Sequence, residues 1–335
     1  MTLRTEPHYV LGIDIGGTKL AVGIVSPEGR LVSEVRTPTL VREGPDRVIR
    51  QLLDLCDGAL VQSGLLRSQV VAAGVGCGGP LDPITGVVME PPNLPGWVDV
   101  PLVARLSDRL QIPVSLDNDA NAAALGEHRF GAGRGIANMI YLTISTGVGG
   151  GVITDGRLYQ GENGNAGEIG HMGVVLGGRT CGCGGQGCLE AYASGTSIAG
   201  RVREAIAGGR TSMMPELAGS LEQITAETVL AALRAGDALA REIWEETLDL
   251  LGMGVANVIS IFNPRRVVLG GGITNFGDLL FPPLRERALR RVMAPLAAVV
   301  DIVPAELGST VGILGAAAVA LAAREASELV NVVYK

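Results

Sequence analysis

The sequence predicts an α/β protein built from two similar halves, each a mixed sheet with helices. Short strands joined by glycine-rich turns occupy Tyr9 to Thr37, and the same pattern returns from Ile140 to Gln160. In both places helical segments and a further apolar strand follow. Such internal similarity indicates a duplication. We therefore expect two lobes whose glycine-rich hairpins face each other across a cleft, where ligands commonly bind.

The elements of the first half follow from local sequence signals. Alternating apolar residues with Gly16-Gly17-Thr18 and Pro27-Glu28-Gly29 between them predict an antiparallel meander. Apolar residues at helical spacing predict the helices. The predicted strands are Tyr9 to Ile15, Lys19 to Ser26, Leu31 to Thr37, Val70 to Val75 and Val114 to Leu116, and the predicted helices are Asp46 to Gly64, Pro101 to Leu110 and Ala120 to Phe130.

The second half repeats the strand pattern and then becomes mainly helical. Its turn Ser145-Thr-Gly-Val-Gly-Gly-Gly151 lies between apolar strands. The long apolar helix Asp237 to Ile261 is a subunit interface or, more commonly for such a helix, part of the core. A short strand, Arg266 to Leu269, precedes the glycines 270 to 272, and the last predicted helix is Val311 to Ala323.

Composition excludes several classes of function. A net charge of -7 and an aromatic content of 3% disfavour a nucleic-acid partner. The longest apolar run, Gly312 to Ala323, is shorter than the ~20 residues that span a bilayer. Met1 to His8 carries both charge signs and no apolar signal region. We expect a globular cytoplasmic protein that binds neither nucleic acid nor membrane.

A glycine-rich segment carries one imidazole and three thiols, the ligand set of many structural zinc sites: His171, Cys181, Cys183 and Cys188. A disulfide with a spare thiol is the alternative. Five cysteines without an export signal favour a reducing compartment and therefore zinc. The remaining two cysteines, Cys56 and Cys77, are predicted to be small buried hydrophobes.

Two acids flank the cysteine segment. Glu168 lies three residues before His171, and Glu190 lies two residues after Cys188. A metal in this segment would fix the positions of both carboxylates. We interpret the arrangement as a scaffold that binds a polyol, although both residues are also compatible with ordinary surface acids.

Three glycine clusters are candidates for phosphate or nucleotide binding. Asp14-Ile-Gly-Gly-Thr-Lys19 places two glycines at a hairpin tip, where backbone N–H groups can approach a phosphate. It is not a P-loop, because the pattern GxxxxGK[ST] is absent. The second hairpin, Ser145 to Gly151, strengthens the phosphate interpretation. The third cluster, 270 to 272, can let the sugar or base of a nucleotide lie against the backbone.

The segment Gly74-Val-Gly-Cys-Gly-Gly79 matches the dinucleotide fingerprint GxGxxG. Pro80, Asp82 and Pro83 follow at once, so no helix begins there to face a pyrophosphate. We therefore assign this loop to substrate contact.

Asp117-Asn118-Asp119 ends a predicted strand and begins a helix. Capping of the helix is the simplest role for one such residue. Three polar residues exceed what one cap needs, and Asn121 follows. A carboxylate beside a phosphate site can accept the proton of an attacking hydroxyl. Asp119 is our candidate for that base.

Asn93 lies in the loop Pro91-Pro-Asn-Leu-Pro-Gly-Trp97, which three prolines stiffen. A rigid polar group loses less entropy on binding. A solvated turn asparagine is the alternative. A sugar presents hydroxyls that donate and accept together, and the side chains of the matching chemical type are Asn93, Asn118, Glu168, His171 and Glu190.

The chain resembles the ROK (repressor, open reading frame, kinase) family of sugar kinases, and within it the bacterial glucokinases. Four motifs carry the resemblance over most of the chain: Asp14-Ile-Gly-Gly-Thr-Lys19, Asn118-Asp-Ala-Asn121, Gly167-Glu-Ile-Gly-His171 and Cys181-Gly-Cys-Gly-Gly-Gln-Gly-Cys-Leu-Glu190. The resemblance implies a duplicated actin-like, ribonuclease-H-like ATPase fold. It also implies ATP and Mg²⁺ as co-substrates, a structural Zn²⁺, and transfer of phosphate to the 6-hydroxyl of a hexose, with glucose favoured.

The resemblance also implies roles for individual residues. Asp119 is the base, and Asp14 helps to hold Mg²⁺ through water. His171 serves zinc with one ring nitrogen and the sugar with the other. The sugar contacts are Gly79, Asn93, Asn118, Asp119, Glu168, His171 and Glu190. The ATP contacts are Asp14, Gly16, Gly17, Thr18, Lys19, Thr146, Gly147, Gly271 and Gly272. The zinc ligands are His171, Cys181, Cys183 and Cys188.

The lobes expected on this basis are residues 1–118, joined by the C-terminal helix at about 311–325, and residues 119–310 with the zinc loop 171–188. A homodimer or homotetramer is implied. The acceptor alternatives are mannose, fructose, N-acetylglucosamine and N-acetylmannosamine, and the donor alternatives are polyphosphate and ADP. A sugar-responsive repressor ranks lower, because only eight residues precede the strand at Tyr9 and a helix-turn-helix needs more.

Overall fold

The computed structural model describes residues 8 to 333, with side chains described as far as residue 328. Met1 to Pro7, where no export signal is expected, lie outside the described residues. The strands are β1 (Tyr9–Ile15), β2 (Lys19–Val25), β3 (Leu31–Pro38), β4 (Val70–Cys77), β5 (Leu81–Asp82), β6 (Val87–Val88), β7 (Val114–Asn118), β8 (Met139–Ile144), β9 (Val148–Thr154), β10 (Arg157–Leu158), β11 (Arg266–Gly270) and β12 (Asp301–Pro304).

Helices lie between these strands and after the cysteine segment. They are α1 (Pro45–Ser63), α2 (Leu102–Leu110), α3 (Asp119–Phe130), α4 (Glu190–Ala193), α5 (Gly195–Ala207), α6 (Met214–Ala218), α7 (Ala226–Arg234), α8 (Ala238–Phe262), α9 (Phe281–Leu289), α10 (Ala294–Ala297) and α11 (Val311–Val333). The strands and helices predicted from sequence are confirmed, with ends that differ by a few residues; the largest difference is that α11 extends beyond Ala323.

The two large sheets have the same topology. Their strand orders are β3-β2-β1-β4-β7 and β10-β9-β8-β11-β12. In the first sheet β1, β2 and β3 form an antiparallel meander, and β1, β4 and β7 are parallel. In the second, β9 and β10 are antiparallel, and β8, β11 and β12 are parallel. The repeated order confirms the predicted duplication of an α/β fold.

The chain packs into two compact units. The first takes Met1–Gly135, Gly151–Ala166 and Glu306–Lys335, and the second takes Ile136–Gly150 and Gly167–Ala305. The predicted lobes, which divide at residues 118 and 119, stay a prediction. Sequence reasoning missed β12 and gave no boundaries for the helices α4 to α7, α9 and α10, because their short polar and alanine-rich segments have weak periodicity.

Helices cover both faces of the first sheet. Residues of β1 alternate between the two faces: Leu11 and Ile13 pack with α1 and α2, whereas Val10 packs with α11 and with Phe130 of α3. Period-two alternation explains this division. Cys56 and Cys77 lie inside this unit as the sequence predicts, and burial raises the pKa of the Cys56 thiol to about 12.

Helix α11 approaches the first sheet unusually closely. A Cβ on Gly74 of β4 would lie 1.8 Å from the carbonyl oxygen of Ala316, and a Cβ on Gly12 of β1 would lie 2.1 Å from that of Ile313. The stretch Gly308–Glu328 is long and apolar enough to pass for a membrane span, with half of its most apolar window buried inside the protein. Core helices meet the same criterion, so this is weak support for a span.

Substitution of Gly74 tests how tightly α11 packs. Gly74→Ala should lower the free energy of unfolding by about 1–3 kcal/mol or more, because the added methyl group overlaps a backbone oxygen. Gly58→Ala is the matched control, since a Cβ there meets its nearest atom at 3.8 Å in the middle of α1. It should stabilise the chain by about 0.5–1 kcal/mol. Urea unfolding measures both, and equal stabilities would contradict the close packing.

Candidate functional site

The carboxyl ends of three parallel strands bring candidate residues of the first unit to one sheet edge. Ile15 pairs with Cys77, and Cys77 pairs with Asn118, so the three strands end in the same row. The glycine hairpin after β1, the loop after β4 and the start of α3 therefore emerge together. Ligands of open α/β sheets bind at this edge.

Asn118 is both the last residue of β7 and the N-cap of α3. Its Oδ1 accepts a hydrogen bond from the Ala120 N–H at 2.8 Å. The amide nitrogen of the same side chain lies 3.5 Å from where a Cβ of Gly79 would stand. The cap role that the sequence suggested is thus filled by Asn118, which leaves Asp119 available for another role.

Asp119 is the first residue of α3, and its side chain is exposed to solvent. Its Oδ1 accepts a hydrogen bond from the Ala120 N–H at 2.8 Å. Desolvation by the surrounding protein raises the pKa of the Asp119 carboxyl, and the backbone hydrogen bond opposes this increase. A carboxylate with raised proton affinity that still reaches solvent is suited to accept a proton.

The buried Asp117 carboxylate holds this turn in place. Oδ1 accepts hydrogen bonds from the Asn118 N–H at 2.8 Å and from Asn121 Nδ2 at 2.9 Å, and Oδ2 accepts one from Gln160 Nε2 at 2.8 Å. Burial raises the pKa of Asp117 in spite of these bonds. Asn121, which the sequence analysis grouped with the polar cluster, therefore supports Asp117 from inside the fold.

Asp14, near the end of β1, has a strongly perturbed carboxyl. Burial, and secondly the charge of Asp119, raise its pKa from 3.8 to about 6, although Lys19 lowers it. A Cβ on Gly312, in the first turn of α11, would lie 2.2 Å from Asp14 Oδ2. Two neighbouring acids that repel each other form a site that a divalent cation would stabilise.

The first glycine hairpin lies against the proline-rich loop. A Cβ on Gly17 would lie 2.5 Å from the carbonyl oxygen of Asn93, and the Asn93 side chain is exposed. Thr18 and Lys19 are exposed as well, and Gly16 is half-buried. The structure therefore places the hairpin residues and Asn93 side by side in the first unit.

The second unit repeats this arrangement of strand ends. Thr143 of β8 pairs with Gly270 of β11, so the turn at Ser145–Gly147 and Gly271 follow neighbouring strands. Gly271 has a φ of 82°, and a Cβ there would lie 2.3 Å from the carbonyl oxygen of Ile144. Only glycine can bring the two turns this close.

A cavity of about 320 Å³ opens beside these turns, wholly within the second unit. Sequence analysis identified three residues of its wall, namely Ser145, Thr146 and Gly272, and missed the others. The missed polar residues are Thr196, Arg203, Thr225 and Glu227. No motif marked them, because Thr196 and Arg203 come from α5, whereas Thr225 and Glu227 come from the start of α7, and only folding brings the two helices together.

The four predicted zinc ligands converge. Their ligand atoms all lie within 4.8 Å of one another. Cys183 Sγ is 3.8 Å from Cys188 Sγ, and Cys181 Sγ is 3.6 Å from His171 Nδ1. Tetrahedral zinc, with bonds of about 2.3 Å to sulfur and 2.0 Å to nitrogen, sets such atoms roughly 3.5–3.8 Å apart. The residues present fit zinc, and all five cysteines are free thiols in the structure. The preference for zinc over a disulfide stays a prediction.

A compact hairpin shapes this cluster. Val174 N–H donates to the Gly187 carbonyl at 2.8 Å, and Cys181 N–H donates to the Gly185 carbonyl at 2.8 Å. Gly187 has a φ of 74°, and a Cβ there would lie 1.7 Å from the Val175 oxygen. Glycine is therefore required where the loop returns.

The two flanking acids meet the cluster from different sides. Glu168 Oε2 is 3.8 Å from His171 Nε2, the ring nitrogen opposite the one near Cys181. Glu190 Oε1 is 3.6 Å from Cys181 Sγ. A ligand histidine oriented by a carboxylate is a recurrent feature of zinc sites. Within the second unit, Glu168, His171 and Glu190 thus lie together.

Comparison with known proteins places this arrangement in a family. The profile described as "ROK family" matches residues 10–323. The chain belongs to the ROK family. Its fold is therefore the actin-like ATPase fold of ROK proteins, as the sequence predicts.

The glucokinase of Thermotoga maritima is 40% identical to this ROK chain over 314 residues, which are 92% of this chain and 96% of that protein. The crystal structure of the ROK hexokinase from Thermus thermophilus matches with a TM-score of 0.81 at 36% identity, and it covers 95% of this chain and 99% of that one. A ROK family glucokinase from Streptomyces griseus, in complex with glucose and AMPPNP, matches with a TM-score of 0.79 at 35% identity over 93% and 99% of the two chains.

The cysteine cluster generates a prediction about metal content. Purified wild-type protein should contain about one zinc per chain, as a four-ligand site requires. Cys183→Ser should lose most of this zinc and melt at a lower temperature, because the hairpin loses its cross-link. Cys56→Ala leaves the cluster intact and should keep the metal. Metal analysis by mass spectrometry measures all three, and a zinc-free wild type would contradict the assignment.

The raised pKa of Asp14 generates a prediction about stability and pH. Since the folded pKa of about 6 exceeds the ordinary value of 3.8, the folded chain retains the proton longer, and charged Asp14 opposes folding at higher pH. Asp14→Asn should therefore become more stable than wild type as pH rises from about 4 to about 6, and keep that advantage above pH 6. Denaturant unfolding between pH 4.5 and 7.5 measures this, and a difference that shrinks with rising pH would contradict it.

Proposed function

We propose that this ROK chain transfers the γ-phosphoryl group of ATP to the 6-hydroxyl of a hexose, and that glucose is its main acceptor. The observation that carries the proposal is Asp119, a solvent-accessible carboxyl of raised pKa at the start of α3 whose charge acts on Asp14 near the end of β1. The glucokinases named above are its full-length relatives and lend support to the choice of glucose.

In the proposed mechanism Asp119 takes the proton of the 6-hydroxyl. The hydroxyl oxygen then forms a bond to the γ-phosphorus, the bond from that phosphorus to the β,γ-bridging oxygen breaks, and ADP leaves. Raised proton affinity favours transfer to Asp119 as the alcohol attacks. Asn118 positions this acid by capping α3. Asp117 in turn positions Asn118, because its carboxylate accepts a hydrogen bond from the Asn118 backbone N–H.

The nucleotide contacts are proposed on both glycine hairpins and on the glycine turn after β11: Asp14, Gly16, Gly17, Thr18, Lys19, Thr146, Gly147, Gly271 and Gly272. The 320 Å³ cavity beside Thr146 and Gly272 has a size that suits the nucleoside of ATP. A nucleoside pocket favours ATP or ADP over polyphosphate, which has no base or ribose to fill it. Mg²⁺ held beside Asp14 would offset the negative charge of the phosphates.

The sugar contacts are proposed to be Gly79, Asn93, Asn118, Asp119, Glu168, His171 and Glu190. Structural Zn²⁺ on His171, Cys181, Cys183 and Cys188 would keep the imidazole and the Glu190 side chain in place. The polar side chains of Asn93, Asn118, Asp119, Glu168, His171 and Glu190 can each form a hydrogen bond with a sugar hydroxyl group. Mannose, fructose, N-acetylglucosamine and N-acetylmannosamine are the alternative acceptors.

The wider setting is also proposed. A cytoplasmic location agrees with free thiols and with intracellular ATP. A homodimer or homotetramer is proposed. The proposed lobes are residues 1–118, joined by the C-terminal helix at about 311–325, and residues 119–310 with the zinc loop 171–188.

The role of Asp119 is tested by Asp119→Asn. The variant should bind glucose nearly as wild type does, because the amide keeps the shape of the side chain, and its kcat should fall by a factor of about 10² to 10⁴. Calorimetry measures the binding, and a coupled assay of ADP release measures turnover. Asp108→Asn, the same change at an exposed position of α2, controls for the lost charge. Wild-type kcat in Asp119→Asn would reject the proposed base.

The substrate assignment is tested by the same assay on wild-type protein. The five hexoses named above are compared at fixed ATP, and ATP, ADP and polyphosphate are compared at fixed glucose. The highest kcat/KM is expected for glucose with ATP, and a tenfold preference for another acceptor would replace glucose in the proposal.

A further inference from the structure

One carboxylate of the second unit contacts both the proposed phosphate hairpin and the cysteine loop. Glu190 Oε2 accepts a hydrogen bond from the Val148 N–H at 2.9 Å, and Oε1 lies 3.6 Å from Cys181 Sγ. Val148 begins β9 directly after the turn at Gly147. Glu190 is a proposed sugar contact, so the same side chain joins the groups assigned to the two substrates.

Gly147 determines whether the Glu190 carboxylate can take this position. A Cβ at residue 147 would lie 2.7 Å from Glu190 Oε2 and 3.6 Å from its Cδ. The first distance is shorter than real Cβ contacts allow. Glu190 is only half-buried, and its long side chain is easier to move than the backbone of the hairpin. A side chain at residue 147 would therefore push the carboxylate away from Val148.

Other segments fix the hairpin so that it cannot move instead. Gly195 N–H donates to the Ser145 carbonyl at 2.7 Å, and Thr196 Oγ1 donates to the Thr146 carbonyl at 2.8 Å. A Cβ on Gly170 would lie 2.0 Å from the Val148 oxygen, so the turn that carries His171 packs against the same strand. Because these contacts hold the hairpin in place, a side chain at residue 147 would displace the Glu190 carboxylate and not the hairpin backbone.

We propose that Gly147 is a positioning residue for the sugar, and that it acts through the Glu190 carboxylate. The inference rests on the proposed function, since it assigns Glu190 to a hexose. Gly147, a residue of the nucleotide hairpin, thus sets the affinity of the protein for the sugar even when no nucleotide is bound. A role confined to phosphate binding would leave that affinity unchanged.

Gly147→Ala tests the proposal by calorimetric titration with glucose in the absence of nucleotide. The dissociation constant should rise at least about tenfold, the usual effect of losing a hydrogen bond to a charged group. Gly200→Ala is the matched control, because it lies in α5 of the same unit with no atom within 4 Å of the added Cβ. Its glucose affinity should equal that of wild type. A folded Gly147→Ala protein with wild-type glucose affinity would overturn the proposal.

A double-mutant cycle separates action through Glu190 from a general disturbance. In a Glu190→Ala background, Gly147→Ala should cause little further loss of kcat/KM for glucose at saturating ATP, since no carboxylate remains for the methyl group to meet. Equal losses in both backgrounds would overturn the proposal. If Gly147→Ala alone does not fold, recovery of folding in the double variant supports the contact, and failure of both overturns it.

Turnover by the wild type separates this inference from the proposed function. Wild type that phosphorylates none of the hexoses tested would reject both. Normal wild-type turnover with unchanged glucose affinity in Gly147→Ala would reject only the role of Gly147.

Discussion

The register of the parallel strands is the constraint on which the candidate site depends. In the first sheet the rows through Ile15, Cys77 and Asn118 align, and in the second the row through Thr143 and Gly270 does the same. A shift of one residue in any strand would turn its terminal side chains to the opposite face. The functional turns follow directly after these rows, so their positions are set by backbone hydrogen bonds and not by the turns themselves.

Burial of a charged carboxylate near a strand end opposes folding. Hydrogen bonds offset this effect at Asp117 more than at Asp14. Asp117 accepts three hydrogen bonds, whereas the pKa of Asp14 is raised mainly by desolvation and by repulsion from Asp119. A carboxyl whose pKa is raised in this way is typical of functional positions, because proton transfer and cation binding both need a carboxylate whose charge is only partly compensated. The fold accommodates it through the dense packing of α11 against β1 and β4, where glycines allow backbone contact.

In the second unit, the cysteine loop must hold His171 and two acidic side chains in fixed positions. A glycine-rich segment has high conformational entropy and few apolar side chains, so it cannot hold an imidazole and two acids in place by packing alone. Zinc bound to the Cys3His set would cross-link the loop, and the separations of 3.6–3.8 Å fit that role. Through Glu190 the same loop reaches Val148, so order in the loop extends to the hairpin that follows β8.

The sequence by itself determined the duplicated α/β architecture, the strands of both meanders, the Cys3His set and the residue types of the candidate site. These features depend on local periodicity, turn chemistry and short spacings, which are written along the chain. Only the tertiary structure decided that Asn118 is the N-cap of α3, that Thr196, Arg203, Thr225 and Glu227 share a cavity, and that Gly147 lies against Glu190. The cavity and the contact between Gly147 and Glu190 join segments that are far apart in the sequence. Their distances depend on how strands, helices and loops pack, which no local pattern encodes.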